Sequence, residues 1–149
     1  MYKLNLPDYS HQLKIDVNNN KIFDYQRKKY VALTPEEWVR QNIICHLINL
    51  GFPNGLIAVE QPITYNSMNK RCDIVVYNSH AYPKIIIECK APHVKISQKT
   101  FDQIATYNLK LHVDYLIVTN GINHYCCKID ITNGNVEFLQ DFPSYNMIK

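Results

Sequence analysis

Apolar residues recur along this chain with two different periods, and the changes between them mark out the elements. In TPEEWVRQNIICHLINLGFP, Val39, Ile43, Leu47 and Leu50 stand three or four apart, the spacing of one helix face. Thr34 is a favourable N-cap, Pro35 suits the first helical position, and Glu37 follows three residues after the cap, as in a capping box. Gly51 and Pro53 end the helix. Ahead of it, HQLKIDV, KIFDY and KYVAL read as short extended segments, the first two separated by the turn-prone NNN. Residues 1–33 are therefore expected to form an extended leader packed on the core of a single domain spanning 1–149.

After the helix the period shortens. LIAVEQPI, CDIVVYN and KIIIECK are strand candidates, joined by the polar links TYNSMNKR and SHAYP, which are short enough to demand antiparallel hairpins. Helical spacing returns in SQKTFDQIATYNLKLH, where Phe101, Ile104 and Leu111 share a stripe. VDYLIVTNG is again a strand, and HYCCKIDI and NVEFL form a closing hairpin through TNGN. A strand that follows a helical crossover returns parallel to an earlier one. The expected architecture is α/β, in the order α-β-β-β-α-β: a mixed central sheet flanked by helices, with an N-terminal leader and a C-terminal hairpin.

Composition narrows this only a little. At 149 residues the chain is long enough for a proper core. No run approaches the roughly 20 apolar residues that span a bilayer. MYKLNLPDYSHQLKIDV mixes charge and polarity too early for a signal peptide, so a cytoplasmic location and no membrane partner are expected. The five cysteines show no CxxC spacing and read as reduced thiols. Cys45, His46, His124, Cys126 and Cys127 match none of the usual zinc patterns. A net charge of +3 permits a polyanionic partner without requiring one.

Candidate chemistry sits at the end of KIIIECK. Side chains alternate along a strand, so Glu88 and Lys90 share one side and Cys89 faces the other. Asp73 opens the apolar part of the preceding strand, and a hairpin brings it beside Glu88 and Lys90. Two adjacent carboxylates raise each other's pKa unless a cation neutralises them. Magnesium is well suited to this, because it prefers oxygen ligands and takes only one or two carboxylates. Manganese is the natural substitute. Asp73, Glu88 and the backbone carbonyl of Cys89 are the expected metal ligands, with Lys90 placed to orient an attacking water or counter developing charge. An acid and a lysine two apart commonly decorate a solvent-facing strand edge; it is the order of the surrounding elements that singles out this pair.

Asp73 followed by ECK one strand later resembles the PD-(D/E)xK nuclease superfamily. Arg71 and Cys72 stand where the superfamily's name puts a proline, a departure many members share. The resemblance implies a restriction-endonuclease-like core and two further features. The helix after ECK carries QIATY, so Gln103 and Tyr107 lie one turn apart on one face. They are similar to a Q-x-x-x-Y element whose side chains approach the active site or DNA. The first helix is implied to add an acid. Glu36 shares a face with Val39, Arg40 and Ile43 while Glu37 is turned about 100° away. Glu36 is thus the expected accessory metal-site acid, and Glu37 the alternative, otherwise left to the capping box. Arg40 is either an i, i+4 partner of Glu36 or, where that acid holds metal, the group that orients it, and Arg40 and Tyr107 are both candidate DNA contacts.

RKKYVALTPEEWVRQNI, RCDIVVYN, IIIECKAP and QIATYN together resemble the N-terminal nuclease domain of type I restriction enzyme R (HsdR) subunits. The resemblance runs over roughly residues 20–125. It implies a magnesium-dependent DNA endonuclease, with a helicase motor and specificity or methylation subunits as partners. No GxxxxGK[ST] loop occurs in the chain, so no motor is encoded in it. Arg27, Lys28, Lys29, Arg71 and Lys95 are candidates for phosphate contacts. Two other outcomes fit the same residues: a catalytically silent nucleic-acid-binding or assembly module, and a Holliday-junction-resolvase-like nuclease, which would require a dimer.

Overall fold

A computed structural model of the chain describes the backbone of residues 1–65 and 67–149, and their side chains other than those of Tyr65, Met68 and Tyr107. The leader holds three short strands, β1 (Ile15–Asp16), β2 (Lys21–Asp24) and β3 (Lys29–Ala32), in an antiparallel sheet of sequential order. Helix α1 (Pro35–Asn49) follows, then β4 (Ile57–Tyr65), β5 (Met68–Tyr77), β6 (Pro83–Cys89), α2 (Gln98–Lys110), β7 (Tyr115–Thr119), β8 (His124–Ile129) and β9 (Val136–Leu139). Among the described residues β4 to β9 form one sheet, each strand beside its neighbour in sequence. The β6–β7 pair, bridged by α2, is parallel and the others are antiparallel. This is the mixed sheet with flanking helices that the order of periods predicts.

Alternation along the strands divides the core in two. Val39, Ile43 and Leu47 of α1 pack with Ile74, Val76, Ile85, Ile87 and Ile117 on one face. Phe101, Ala105 and Leu111 pack with Val75, Ile86, Leu116 and Val118 on the other. Ile85, Ile86 and Ile87 are completely buried because β6 is central and both of its faces are covered. Among the described residues no helix is long and apolar enough to cross a membrane.

Three local expectations change. Leu50 is 41 % exposed: α1 stops at Asn49, Gly51 turns the chain at φ +100°, and Phe52 fills the core place instead. The Thr34 hydroxyl caps α1 by accepting from the Glu37 N–H at 3.0 Å, but the Glu37 carboxylate does not reach back. It accepts from Arg27, Arg40 and Gln41. Finally, most of TYNSMNKR is strand rather than turn. Ile63 pairs with Lys70 and Pro62 with Arg71, because backbone pairing continues down the hairpin whatever the polarity of the side chains.

The cysteines are all free and buried, with Cys126 and Cys127 on opposite faces of the sheet. His46 meets the Tyr9 hydroxyl at 2.7 Å, and His124 is held between Thr119 (2.7 Å) and the Asn5 carbonyl (2.8 Å). Both rings serve to dock the N-terminal segment. Trp38 Nε1 donates to the Tyr2 carbonyl at 2.9 Å, and the Asn5 N–H donates to the Gly121 carbonyl at 2.8 Å. Gly121 has φ +86°, and a Cβ there would lie 2.6 Å from Leu4 Cδ2 and 3.1 Å from Val39 Cγ2.

Gly121→Ala is therefore expected to lower stability by about 2 kcal/mol, combining left-handed strain with the displacement of Leu4. Thermal unfolding should show the loss, and limited proteolysis should cut the segment before Ser10 faster than in the wild type. An unchanged digestion pattern would mean that the segment does not depend on this approach.

Candidate active site

The centre of the site lies where β5, β6 and β4 stop pairing regularly. Cross-strand pairing of β5 with β6 ends at Ile74 and Ile87. Beyond it, the Cys89 N–H donates to Asp73 Oδ2 at 2.7 Å, so a side chain replaces the next rung of the ladder. A strand residue directs its N–H and C=O towards the same neighbour, so the Cys89 carbonyl also faces the β5 side. On the other edge of β5, Val59 pairs with Ile74 and Gln61 with Cys72, while the intervening Glu60–Asp73 rung is missing. Glu60 sits at φ +55°, a conformation that non-glycine residues seldom adopt, and does so within a strand.

This interruption swaps the faces of two strands. Val59 and Ile74 pack on the α1 side, whereas Ile63 and Cys72, an even number of residues away, pack on the α2 side. Asp73 and Glu60 therefore meet α1, while Lys70, in step with Cys72, reaches the α2 side. There β6 presents Glu88, in step with Ile86. The Lys70 ammonium is paired with Glu88 Oε1, and both side chains are largely buried.

Arg40 collects the acids on the α1 side. It is 5 % exposed. Its Nη1 donates to Glu37 Oε1 at 3.1 Å, and Nη2 lies 2.8 Å from Glu60 Oε1, 3.2 Å from Asp73 Oδ1 and 3.7 Å from Glu36 Oε1. Burial opposes its charge, but Glu37, Asp73 and Glu60 outweigh burial and hold the guanidinium above its ordinary pKa. Burial raises Glu88 above the usual carboxylate range; Lys70 opposes this and the charge of Asp73 adds to it. Glu36 is raised by burial and by Asp73 against the pull of Arg40 and Lys90. Glu36 and Glu88 are thus held up mainly by burial, with the charge of Asp73 adding to it, and a hard divalent cation would favour their charged forms. Asp73, Glu88 and the Cys89 carbonyl offer oxygen donors of the right chemistry. Among the described residues no three His, Cys, Asp or Glu side chains are grouped so as to hold a metal ion. Glu36 approaches Asp73 across Arg40 Nη2 rather than directly.

Several expected site residues lie elsewhere or are already engaged. Gln103 is exposed on the outer side of α2 beside Lys99, Thr106 and Lys110, and makes no hydrogen bond to the acids. Phe101, Ala105 and Asn108 turn inward instead, which rotates Gln103 away. The side chain of Tyr107 lies outside the described residues. Arg40, an expected DNA contact, is buried and committed to carboxylates. Arg27 is likewise engaged, its Nε with Asp24 and its Nη2 2.8 Å from Glu37. Lys28, Lys29 and Lys95 are exposed, as is Arg71, whose Nε lies 3.0 Å from Glu60 Oε2. Lys90 is half-buried and, among the described residues, makes no ion pair. Glu60 and Lys70 were not among the expected site residues. The acid inside AVEQP, breaking an apolar run much as Glu88 does, was the signal for Glu60.

The family described as "Type I restriction enzyme R protein N terminus" matches residues 35–143. Among solved structures, a fragment assigned to an HsdR subunit of a type I restriction enzyme from Vibrio vulnificus YJ016 is similar at 20 % identity and a TM-score of 0.55. The match covers 76 % of this chain and 24 % of that one, so the present chain corresponds to about a quarter of its relative. A protein assigned as a DUF820 nuclease, from Anabaena variabilis ATCC 29413, aligns at 11 % identity and a TM-score of 0.47 over 89 % of this chain and 82 % of that one. No curated protein matches the chain.

Two measurements test this geometry. Glu60→Gly and Glu60→Ala lose the same ion pairs, but only glycine accepts φ +55° freely. Glu60→Gly is expected to be the more stable by about 1 kcal/mol in chemical denaturation. In carboxyl-carbon NMR, Glu88 should titrate above its ordinary value of 4.5, and Asp73→Asn should bring it down. With the folded pKa raised, the stabilisation from a protonated Glu88 is lost as pH rises through that value, so stability should fall across the same window.

Proposed function

Because the chain belongs to the type I restriction enzyme R protein N-terminus family, we propose that it is a magnesium-dependent endonuclease domain. Its substrate is the DNA phosphodiester bond, and its site is the Asp73–Glu88 end of β6. The observation that carries this reading is the Asp73 carboxylate fixed on the Cys89 N–H with Glu88 beside it. That contact orients one oxygen-donor side chain against the end of a rigid central strand, where a second such side chain and a backbone carbonyl are already present.

Asp73, Glu88 and the Cys89 carbonyl would hold the ion, with Glu36 supporting from outside. When bound, magnesium supplies Lewis-acid polarisation of a phosphoryl oxygen and acidifies a coordinated water. The chain's own groups do the rest. Lys90, free of any ion pair among the described residues, is available to orient the attacking water and to counter the charge that develops at phosphorus. Arg71, exposed and steadied by Glu60, presents its remaining guanidinium N–H groups to a backbone phosphate. Lys28, Lys29 and Lys95 would add contacts that confer affinity without sequence information and make binding steeply salt-dependent. The chain corresponds to a small part of an R subunit, so a helicase motor and specificity or methylation subunits belong to this proposal, as does a cytoplasmic setting.

One observation favours a second reading. Both acids already carry a protein cation, Arg40 on Asp73 and Lys70 on Glu88, so neither needs a metal ion as counter-charge, which favours the silent nucleic-acid-binding module.

Nicking of supercoiled plasmid separates the two. Wild-type protein should cut with magnesium or manganese and not with EDTA. Asp73→Asn and Lys90→Ala should each reduce cutting by about a hundredfold or more, while duplex affinity stays within about threefold. Binding without cutting under every metal condition would establish the silent module instead.

A further inference from the structure

The two proposed metal-site acids are neutralised in different ways. Arg40 is almost wholly buried, and its guanidinium also holds Glu37 and Glu60. Withdrawing it from Asp73 would strand several carboxylates, so it stays. Lys70 is differently placed. Its side chain keeps 19 % of its surface exposed, and it sits on the hairpin arm of β5, outside the packed rungs that begin at Ile74. An ammonium on a four-carbon stem is a mobile point charge, able to leave one oxygen and find another without backbone movement.

We propose that Lys70 is the resident counter-ion of Glu88, that a divalent ion displaces it, and that the released ammonium becomes a contact to the substrate phosphate. The inference rests on the nuclease reading and extends it to a residue that the sequence did not suggest. Local charge gives the direction. Arg40 is shared among several carboxylates, whereas Lys70 is paired with Glu88 on the other side of the strand. A divalent ion binding the Glu88 carboxylate with Lys70 in place would face that ammonium at close range in a largely desolvated site. Moving Lys70 onto an incoming phosphate relieves this from both sides. Metal and nucleic acid should therefore each favour the binding of the other, with Lys70 as the link. The Lys70–Glu88 pair would also keep the two acids apart from solvent cations until substrate arrives.

The test is calorimetric titration of Mn2+ into the whole, DNA-free chain. Lys70→Met and Lys70→Gln should each bind Mn2+ about tenfold more tightly than the wild type, a gain of about 1.4 kcal/mol, because no protein cation competes. Lys70→Arg, which keeps the competing charge, should remain near wild type. In the absence of metal the two neutral variants should melt at a lower temperature, since Glu88 loses its partner. Added Mn2+ should then raise their melting temperature more than it raises that of the wild type. With Ca2+ in place of a cleaving metal, the ion-dependent gain in duplex affinity should shrink in Lys70→Met. Equal or weaker Mn2+ binding by both neutral variants would overturn the proposal while leaving the nuclease reading intact. Absence of Mn2+ binding by the wild type and by every Lys70 variant would overturn both. If wild-type binding is present and Asp73→Asn abolishes it, the site itself is located, and the comparison of Lys70 variants stands on its own.

Discussion

A chain of alternating charges runs from the leader into the sheet, and the placement of the acids on the α1 side of the site depends on it. Asp24, fully buried in β2, holds Arg27; Arg27 reaches Glu37 on α1; Glu37 holds Arg40; and Arg40 holds Glu60 and Asp73 on two adjacent strands. Arg27 and Glu37 each meet two partners of opposite sign, and Arg40 meets four. Isolated burial of any one of them would be strongly unfavourable, and removing one partner from such a pair typically destabilises by about 3–5 kcal/mol. The network therefore does what an apolar contact could not. It fixes α1 against β4 and β5 in one register, because sliding the helix by a turn would strand charges at both ends.

The geometry at Asp73 follows from that anchor together with the missing rung at Glu60. A regular ladder would keep Ile63, Cys72 and Lys70 on the α1 side, with Val59 and Ile74. Because the strands swap faces at this point, one hairpin serves both sides of β6: Asp73 meets Arg40 on one side and Lys70 meets Glu88 on the other. The unusual backbone of Glu60 is held in place by two arginines, one buried and one open to solvent. Strain, charge network and site are one construction.

How much of this could be read beforehand depends on what kind of pattern each feature left. The apolar alternation in CDIVV and IIIEC, with a short link between, gave away the Asp73–Glu88 neighbourhood, because antiparallel hairpins leave little freedom in where strand ends meet. The helix spacing of Val39, Ile43 and Leu47 placed α1, and the chemistry of Thr34 and Pro35 placed its start. Lys70 was concealed by composition. TYNSMNKR is rich in residues that favour turns, yet most of it pairs as strand, and the face swap that delivers Lys70 to Glu88 has no periodic signature. Gln103 illustrates a different limit: helical spacing puts it on one face with Tyr107 but does not say which face the sheet covers, and Phe101, Ala105 and Asn108 decided that. Arg40 was legible as a partner of Glu36; that it would be enclosed by four acids was not, since Glu60 and Asp73 arrive from the sheet and Glu37 was left to the capping box.

The strand order carries a consequence for how the molecule is made. Within the large sheet every neighbouring pair except β6–β7 is a hairpin, closed by a handful of residues and therefore quick to form. Joining β6 to β7 requires α2 and its flanking loops to be brought round first, the step with the largest loop-closure entropy in the sheet. That step also sets the hydrogen bond from the Lys90 N–H to the Thr119 carbonyl, which holds the residue just beyond the end of β6. The Asp73–Glu88 hairpin can thus close by local pairing, whereas Lys90, the lysine proposed to act with it, is held only when the β6–β7 pairing is in place. On the nuclease reading, a partly folded chain would bring Asp73 and Glu88 together before Lys90 is in place to act with them.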